Sequence, residues 1–352
     1  MAPKDSKRPF HTASDAEIKS GEVYDVYFER TVQILKARGD RKRVKAEVYL
    51  KALPEDWEWG VLAGIEEAAA LLEGVPVDVR AMDEGTIFAP YQPIMVLEGV
   101  YVDWAQYETA LLGVLCQASG IATKAARCKK AAGERQVISF GARRMHPALA
   151  PMIERNAFVG GALIDTLQDE KFEAIRVAEA LGDDLFAVRL DTPSSRRGDL
   201  YRIVQEVRWE LDLRGFGHVK IITSGGIDEY EILRLNPVVD GYGVGTSIAN
   251  APVVSFALDI MEIEGRPMAK RGKWSGAKDV FRRRGTLETV VVPAGRGAPR
   301  DGAWDPLLKP LLKAGRLTRD LPPPRTIRDY VLEQLAPVSL DTLRRQGQRR
   351  DF

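Results

Sequence analysis

The sequence predicts an α/β protein that combines an incomplete (open) β/α barrel with a smaller mixed α/β N-terminal domain. From Gln136 onward, short apolar stretches alternate with helical stretches, which is the pattern of parallel strands covered by helices. About five such units occur between residues 136 and 246, fewer than the eight of a complete barrel. The chain before them mixes strand and helix patterns, and 352 residues suffice for two or three domains.

The first part of the chain is divided into a leader and the smaller domain. Residues 1–19 are charged and lack the apolar stretch of a secretory signal, so they are predicted to be a loose leader. Residues 20–110 form the predicted mixed α/β domain. Apolar and polar residues alternate over 44–50, which predicts a half-buried strand, and helical spacing over 61–72 predicts a helix that ends at Gly74.

Residues 111–270 are predicted to form the incomplete barrel that carries the active site. An alanine-rich helix over 103–133 leads into it, with a predicted break at Ser119–Gly120. The predicted strands are 137–140, 162–166, 186–192, 218–226 and 238–246, and the predicted helices are 147–158, 169–181, 200–213 and 228–235. Residues 253–265 are a candidate sixth unit. The basic and proline-rich residues 271–352 are predicted to pack back on the N-terminal domain.

Composition excludes several classes of protein. Lys and Arg number 51 against 50 Asp and Glu, so the net charge of +1 argues against a nucleic-acid or membrane-surface binder. No apolar run approaches the ~18 residues of a membrane-spanning helix. Two cysteines cannot make a disulfide framework or a four-cysteine zinc site. We therefore expect a cytoplasmic protein with no nucleic-acid or membrane partner.

Glycine-rich loops follow two neighbouring strands of the predicted barrel, SGG at 224–226 and GYGVGT at 241–246. Glycine lets the backbone approach a ligand closely, and paired loops at the last strands of a barrel commonly bind phosphate. The alternative is two tight turns without a ligand. The predicted phosphate-binding residues are Ser224, Gly225, Gly226, Gly243, Gly245 and Thr246.

Charged residues occupy the ends of two further strands. Asp165 and Asp191 are candidate catalytic carboxylates that hold Mg²⁺, directly or through water, and Arg189 is a candidate catalytic contact to a phosphate. Two carboxylates at one phosphate cleft favour a magnesium-bound diphosphate over acid–base catalysis. The alternative is a salt-bridged loop.

The stretch FGARRMHP at 140–147 carries the candidate substrate contacts. Phe140 is suited to stacking on a flat heterocycle, and Arg143 and Arg144 to binding a carboxylate or phosphate. The alternative is a core phenylalanine followed by surface arginines. His146 is either a further substrate contact or a structural hydrogen-bond partner.

Taken together, these motifs resemble the archaeal-like branch of the nicotinate phosphoribosyltransferases, which are type II phosphoribosyltransferases. The resemblance covers about residues 20–280 and rests on DVYF, EGVYVDWAQYETALLGVLCQASGIATKAAR, SFGARRMHP, VRLDTPSSRRGD, ITSGGIDE, GYGVGTSIAN and AKRGKWSG. It implies a homodimer or higher homo-oligomer with shared active sites. The implied reaction converts nicotinate and 5-phosphoribosyl-1-diphosphate into nicotinate mononucleotide and diphosphate, with Mg²⁺, in NAD salvage.

The resemblance also implies roles for individual residues. Phe140 matches the residue that stacks on the pyridine ring, with Arg143 beside it, and Tyr27 matches a second stacking residue that the partner subunit supplies. Asp165 and Asp191 match carboxylates near the ribose, diphosphate and magnesium, and Arg189 a diphosphate contact. The two glycine loops match the cradle of the 5-phosphate.

Two departures from the family pattern affect the expected cofactors. Relatives carry a G-T-x-x-H segment whose histidine is linked to ATP coupling, whereas here Gly161 runs directly into Ala162. ATP dependence is therefore open, and coupling through a phosphohistidine is not expected. Some relatives carry a cysteine cluster after KRGKxSG, which is absent here, so no zinc is expected. The alternatives to a nicotinate phosphoribosyltransferase are a quinolinate phosphoribosyltransferase and a catalytically impaired phosphoribosyl-binding paralogue that lacks this G-T-x-x-H segment.

Overall fold

A computed structural model describes residues 10–160, 163–164, 186–191, 199–270 and 272–343. The helices are α1 (Asp15–Lys19), α2 (Val26–Ala37), α3 (Ile65–Leu72), α4 (Tyr101–Trp104), α5 (Glu108–Ala132), α6 (Ala150–Val159), α7 (Leu200–Leu213), α8 (Glu229–Leu235), α9 (Thr246–Ala249) and α10 (Pro324–Leu335). Helix α1 lies inside the predicted leader, where Ser14 and Glu17 form a capping box. No helix of the described ranges is long and apolar enough to cross a membrane.

The strands up to the middle of the chain are β1 (Arg43–Tyr49), β2 (Gly60–Val61), β3 (Val77–Ala81), β4 (Ile87–Phe88), β5 (Met95–Val100), β6 (Gln136–Ser139), β7 (Leu163–Ile164), β8 (Ala187–Asp191), β9 (Lys220–Ser224) and β10 (Gly241–Val244). The later strands are β11 (Ala257–Ile263), β12 (Arg266–Pro267), β13 (Lys278–Arg283), β14 (Thr289–Pro293), β15 (Trp304–Pro306), β16 (Lys309–Lys313) and β17 (Arg316–Leu317). Short 3₁₀ helices cover Ala142–Arg144, Pro147–Leu149 and Leu340–Leu343.

A seven-stranded antiparallel sheet forms one half of the molecule, in the order β12-β11-β1-β5-β3-β16-β17. It combines strands from the start of the chain with strands that follow residue 257. Its buried face holds an apolar core that includes Leu97, Trp104 and Leu115. A buried ion pair between Lys278 Nζ and Glu47 Oε2, 2.9 Å apart, ties the C-terminal strands to this sheet. The predicted domain boundaries stay predictions.

Residues 253–265 do not form a sixth β/α unit, so that prediction was wrong. Strand β11 pairs antiparallel with β1 over Val44–Tyr49. Glu264 and Gly265 both have positive φ, 50° and 71°, which is the backbone of a tight hairpin turn into β12. The chain therefore turns back into the antiparallel sheet and does not continue into a covering helix.

A second sheet is parallel and has the order β7-β6-β10-β9-β8 within the described residues. This confirms a mixed α/β fold with a parallel sheet and helices. Helix α7 has the bounds that the sequence predicts, because Asp199 caps it by accepting a hydrogen bond from Tyr201 N–H and an apolar face from Leu200 to Leu211 is buried. The predicted helix over 169–181 lies outside the described residues.

The long helix α5 joins the two sheets, and the break predicted at Ser119–Gly120 is absent. The helix continues because both residues pack against other elements. Ser119 Oγ accepts a hydrogen bond from Ala63 N–H at 3.1 Å. Gly120 lies against the backbone of Pro252, whose carbonyl oxygen would be only 2.4 Å from an added Cβ. The glycine thus serves close packing, although it is an unfavourable residue in a helix interior.

We expect Gly120→Ala to lower the free energy of unfolding by about 1–3 kcal/mol, because the new methyl group must displace backbone atoms. Gly113→Ala is the matched control in the same helix, since no atom beyond its own helical backbone lies within 4 Å of its added Cβ. That variant should be neutral or stabilising by up to about 1 kcal/mol. Urea unfolding of both variants tests this, and equal stabilities would contradict the packing role of Gly120.

Candidate active site

The carboxyl ends of β6, β8, β9 and β10 surround one cavity of about 260 Å³. Most of the residues predicted from the sequence line it together, namely Phe140, Arg143, Arg144, Arg189, Asp191, Ser224, Gly225, Gly226, Gly243, Gly245 and Thr246. Ile227, Asp228 and Ser247 also line the cavity and were not among the predicted site residues. Each adjoins a glycine loop, so the sequence contained a signal for them.

The loop after β9 has a backbone that glycine favours. Gly225 and Gly226 have φ of 90° and 71°, a left-handed region that other residues adopt at a cost. The loop ends at Asp228, whose Oδ1 accepts hydrogen bonds from Tyr230 N–H at 3.0 Å and Glu231 N–H at 2.9 Å. The carboxylate therefore anchors the loop to α8 at the edge of the cavity.

Arg189 connects three residues of the site. Its Nη1 donates a hydrogen bond to Ser224 Oγ at 2.7 Å and lies 3.4 Å from Asp191 Oδ2. Its guanidinium carbon lies 5.4 Å from the ring centre of Phe140, which is a cation–π distance. Its Nε is buried and has no hydrogen-bond partner within the described part of the chain. Arg189 thus brings a positive charge to the cavity while it contacts a serine, a carboxylate and an aromatic ring.

The ring of Phe140 occupies space that a glycine on the neighbouring strand leaves open. A Cβ added to Gly243 would lie 2.0 Å from Phe140 Cε2 and 3.0 Å from Ser224 Cβ. The backbone N–H of Phe140 donates to the carbonyl of Val244 at 2.9 Å, which extends the pairing of β6 with β10. The absence of a side chain at position 243 therefore creates the space for the ring.

The charges of the cavity favour an anion. Three guanidiniums, those of Arg143, Arg144 and Arg189, face two carboxylates, those of Asp191 and Asp228. One positive charge is in excess, and Asp228 is already engaged by backbone amides. Arginine and glycine-loop amides are the common ligands of phosphate groups. The cavity is therefore suited to a phosphorylated compound.

Mg²⁺ is commonly held by one or two carboxylates, by water and by substrate phosphates. Asp191 fits this role, since its side chain is 30% exposed at the cavity. Asp165, the second predicted ligand, lies outside the described residues, as does the junction between Gly161 and Ala162. Among the described residues no cluster of three or more His, Cys, Asp or Glu suits a metal ion. The magnesium site stays a prediction.

Two predicted substrate contacts lie away from this cavity. His146 Nδ1 accepts a hydrogen bond from Ala148 N–H at 3.2 Å and caps a 3₁₀ helix, and its ring edge contacts Phe10. Tyr27 lies on α2 with 54% of its surface exposed, and its ring is 4.1 Å from that of Phe28. Within one chain, therefore, neither side chain lines the cavity.

Comparisons with known proteins identify the family of this chain. Residues 25–119 match the family described as "Quinolinate phosphoribosyl transferase, N-terminal domain". The chain is 26% identical to nicotinate phosphoribosyltransferase pncB1 of Mycobacterium tuberculosis, over 78% of this chain and 81% of that protein. It is 48% identical to a nicotinate-nucleotide pyrophosphorylase from Pyrococcus furiosus of known structure, with a TM-score of 0.88 over 93% of this chain and 97% of that one. The chain belongs to the nicotinate phosphoribosyltransferase family.

A more distant structure supports the fold of this family member. The human nicotinic acid phosphoribosyltransferase superposes with a TM-score of 0.72 over 92% of this chain and 95% of that one, at 18% identity. The arrangement of the two sheets is thus shared with a protein whose sequence has diverged widely.

Proposed function

We propose that this member of the nicotinate phosphoribosyltransferase family transfers the 5-phosphoribosyl group of 5-phosphoribosyl-1-diphosphate to nicotinate, yielding nicotinate mononucleotide and diphosphate. The supporting observation is a single cavity that joins two glycine loops, the Arg189–Asp191 pair and the Phe140 ring. Relatives matching most of the chain bear the same name. Because nicotinate mononucleotide is a pyridine nucleotide, the reaction belongs to NAD salvage.

The glycine loops bind the 5-phosphate in this proposal. Ser224–Gly226 and Gly243–Thr246 line the same cavity, so one phosphate group can contact both. Backbone amides of such loops bind phosphate without a change in protonation state. The phosphate end of the substrate is thereby fixed, and the ribose C1 is directed toward the Arg189–Asp191 pair.

Breaking the bond between C1 and diphosphate leaves positive charge on the ribose. Asp191 stabilises that charge, and Asp165 is proposed as its partner. Bound Mg²⁺ would neutralise the leaving diphosphate, with Asp191 and Asp165 as its protein ligands. Arg189 lines the same cavity and supplies a positive charge for that diphosphate. Arginine and carboxylate thus act on opposite charges of one transition state.

Nicotinate requires orientation rather than proton transfer. Its ring nitrogen carries no proton to lose, so a general base is unnecessary. Phe140 supplies an aromatic surface, while Arg143 and Arg144 supply cations for the carboxylate. Holding the nitrogen in line with C1 is catalysis by positioning.

We further propose that the parallel sheet is part of an open barrel and that a second copy of the chain covers the site. On α2, Val26, Tyr27 and Ile34 are each more than half exposed. Apolar side chains with this exposure are suited to a subunit interface. Tyr27 of one protomer would then reach the Phe140 region of its partner, as the family resemblance implies.

Turnover of 5-phosphoribosyl-1-diphosphate tests the proposed function. The purified protein with Mg²⁺ is given nicotinate, nicotinamide or quinolinate, each with and without ATP. We expect nicotinate mononucleotide from nicotinate alone and no requirement for ATP. The quinolinate alternative is not favoured, and release of CO₂ from quinolinate at a comparable rate would overturn the proposal. Absence of turnover with all three rings would favour the phosphoribosyl-binding paralogue.

A further inference from the structure

A buried ion-pair network lies directly behind the loop that lines the cavity. Its members, here called the Glu229 network, are Glu229, Lys124 and Arg127. Glu229 Oε2 lies 2.8 Å from Lys124 Nζ, and Glu229 Oε1 lies 2.9 Å from Arg127 Nε. Glu229 is fully buried, and the two cations are 6% and 1% exposed. Three charged side chains are thus removed from water together.

Glu229 is the member of the network that lies next to the cavity in sequence. It is the first residue of α8 and directly follows Asp228, which lines the cavity and anchors the Ser224–Asp228 loop. Its two cationic partners lie on α5, the helix that joins the sheets. The loop is therefore held from behind by α5, which itself does not line the described cavity.

The C-terminal 3₁₀ helix Leu340–Leu343 is attached to the same network. Arg127 Nη2 donates to the carbonyl of Leu343 at 3.1 Å, and its Nη1 donates to that of Thr342 at 3.4 Å. The Thr342 hydroxyl accepts a hydrogen bond from Trp59 Nε1 at 3.0 Å. Arg127 thus joins three segments that are distant in sequence.

Electrostatics make the network sensitive to the loss of one member. Burial alone would raise the pKa of Glu229, but Lys124 and Arg127 outweigh it and hold the pKa below its ordinary value. The carboxylate is therefore ionised at neutral pH. Removing its charge leaves two buried cations without their main partner, which is far more costly than removing a surface ion pair.

We propose that Glu229, Arg127 and Lys124 are positioning residues that hold the Ser224–Asp228 loop in the conformation that binds the substrate phosphate, with the C-terminal 3₁₀ helix as part of this support. The proposal rests on the proposed function only for the identity of that substrate. None of the three side chains lines the cavity, so the network acts through the loop alone.

Glu229→Gln is the decisive variant, and Glu84→Gln is its matched control. Glu84 is also a buried carboxylate, hydrogen-bonded to Gly64 N–H and paired with Arg155, but it does not line the cavity. We expect Glu229→Gln to raise KM for 5-phosphoribosyl-1-diphosphate about tenfold, with KM for nicotinate changed less than about twofold. The control should lower thermal stability without changing either KM.

Calorimetric titration with ribose 5-phosphate separates this inference from the proposed function, because it needs no turnover. We expect Glu229→Gln to weaken binding about tenfold and Glu229→Asp, which keeps the charge, to restore part of the affinity. Should Glu229→Gln not fold, Lys124→Met replaces it as the test variant, because it retains the Arg127–Glu229 pair. We expect this variant also to weaken the binding of ribose 5-phosphate. Unchanged ribose 5-phosphate affinity in the folded variant, or an equal loss in Glu84→Gln, would overturn the inference.

Discussion

Asp191→Ala is expected to lower kcat by about 10²–10³-fold, because it removes a carboxylate placed against the developing charge of the ribose. The side chain ends β8 at the cavity and is partly exposed there, so folding should tolerate the change. Steady-state rates at saturating Mg²⁺ and both substrates, together with circular dichroism of the variant, provide the measurement. A rate within about threefold of the parent would refute the role of Asp191.

Asp240→Ala is the control for this experiment. Asp240 is also a carboxylate beside a strand of the same sheet, but it precedes the first residue of β10, at the amino end of the strand. Its Oδ2 accepts a hydrogen bond from Ile221 N–H at 2.9 Å. It does not line the cavity. We expect a small loss of stability and an unchanged kcat, so a comparable fall in kcat would show that the effect of Asp191→Ala is merely structural.

Gly243→Ala is expected to lower kcat/KM for nicotinate by about 10–100-fold, because a misplaced ring-binding group disrupts the alignment of nicotinate with C1. The new methyl group would lie 2.0 Å from Phe140 Cε2, so the ring must move away from its position in the cavity. KM for 5-phosphoribosyl-1-diphosphate should change less, since the contact to Ser224 Cβ, at 3.0 Å, is much less tight than the contact to the ring. Initial rates with each substrate varied in turn measure both values.

Gly241→Ala is the control on the same strand. Its added Cβ would lie no closer than 3.4 Å to any neighbour, the nearest being Ile222 Cγ1. This variant should keep the parent values of kcat/KM for nicotinate and of KM for 5-phosphoribosyl-1-diphosphate. An unchanged kcat/KM for nicotinate in Gly243→Ala would show that Phe140 does not position the pyridine ring.

Much of the site was predictable from the sequence because parallel strands place their carboxyl ends at one edge. Phe140 follows β6 and Ser224 ends β9. Arg189 and Gly243 lie within the last three residues of their strands, and all four line the cavity. Local composition predicted the strands well, since a strand in a parallel sheet is a short apolar run between turn residues. The helix over 200–213 was equally local, with its cap and apolar face contained in the stretch from Asp199 to Leu213.

Other features depend on contacts between residues far apart in the chain. Gly120 predicts a helix break by its intrinsic preference, yet close packing on Pro252 keeps α5 continuous. Residues 257–263 have a strand pattern, but their partner β1 lies more than two hundred residues earlier. A pattern of apolar residues indicates that a strand exists, and it does not specify which strand lies beside it.

The sequence by itself determined which chemical groups are available at the strand ends, because side-chain type and strand period are local properties. Only the tertiary structure decided how those groups are supported. Glu229 and Arg127 lie 102 residues apart, and their pairing depends on how α5 packs against α8. A buried charge is stable only beside its partner, so the folded packing of these two helices determines whether the carboxylate can remain ionised behind the cavity.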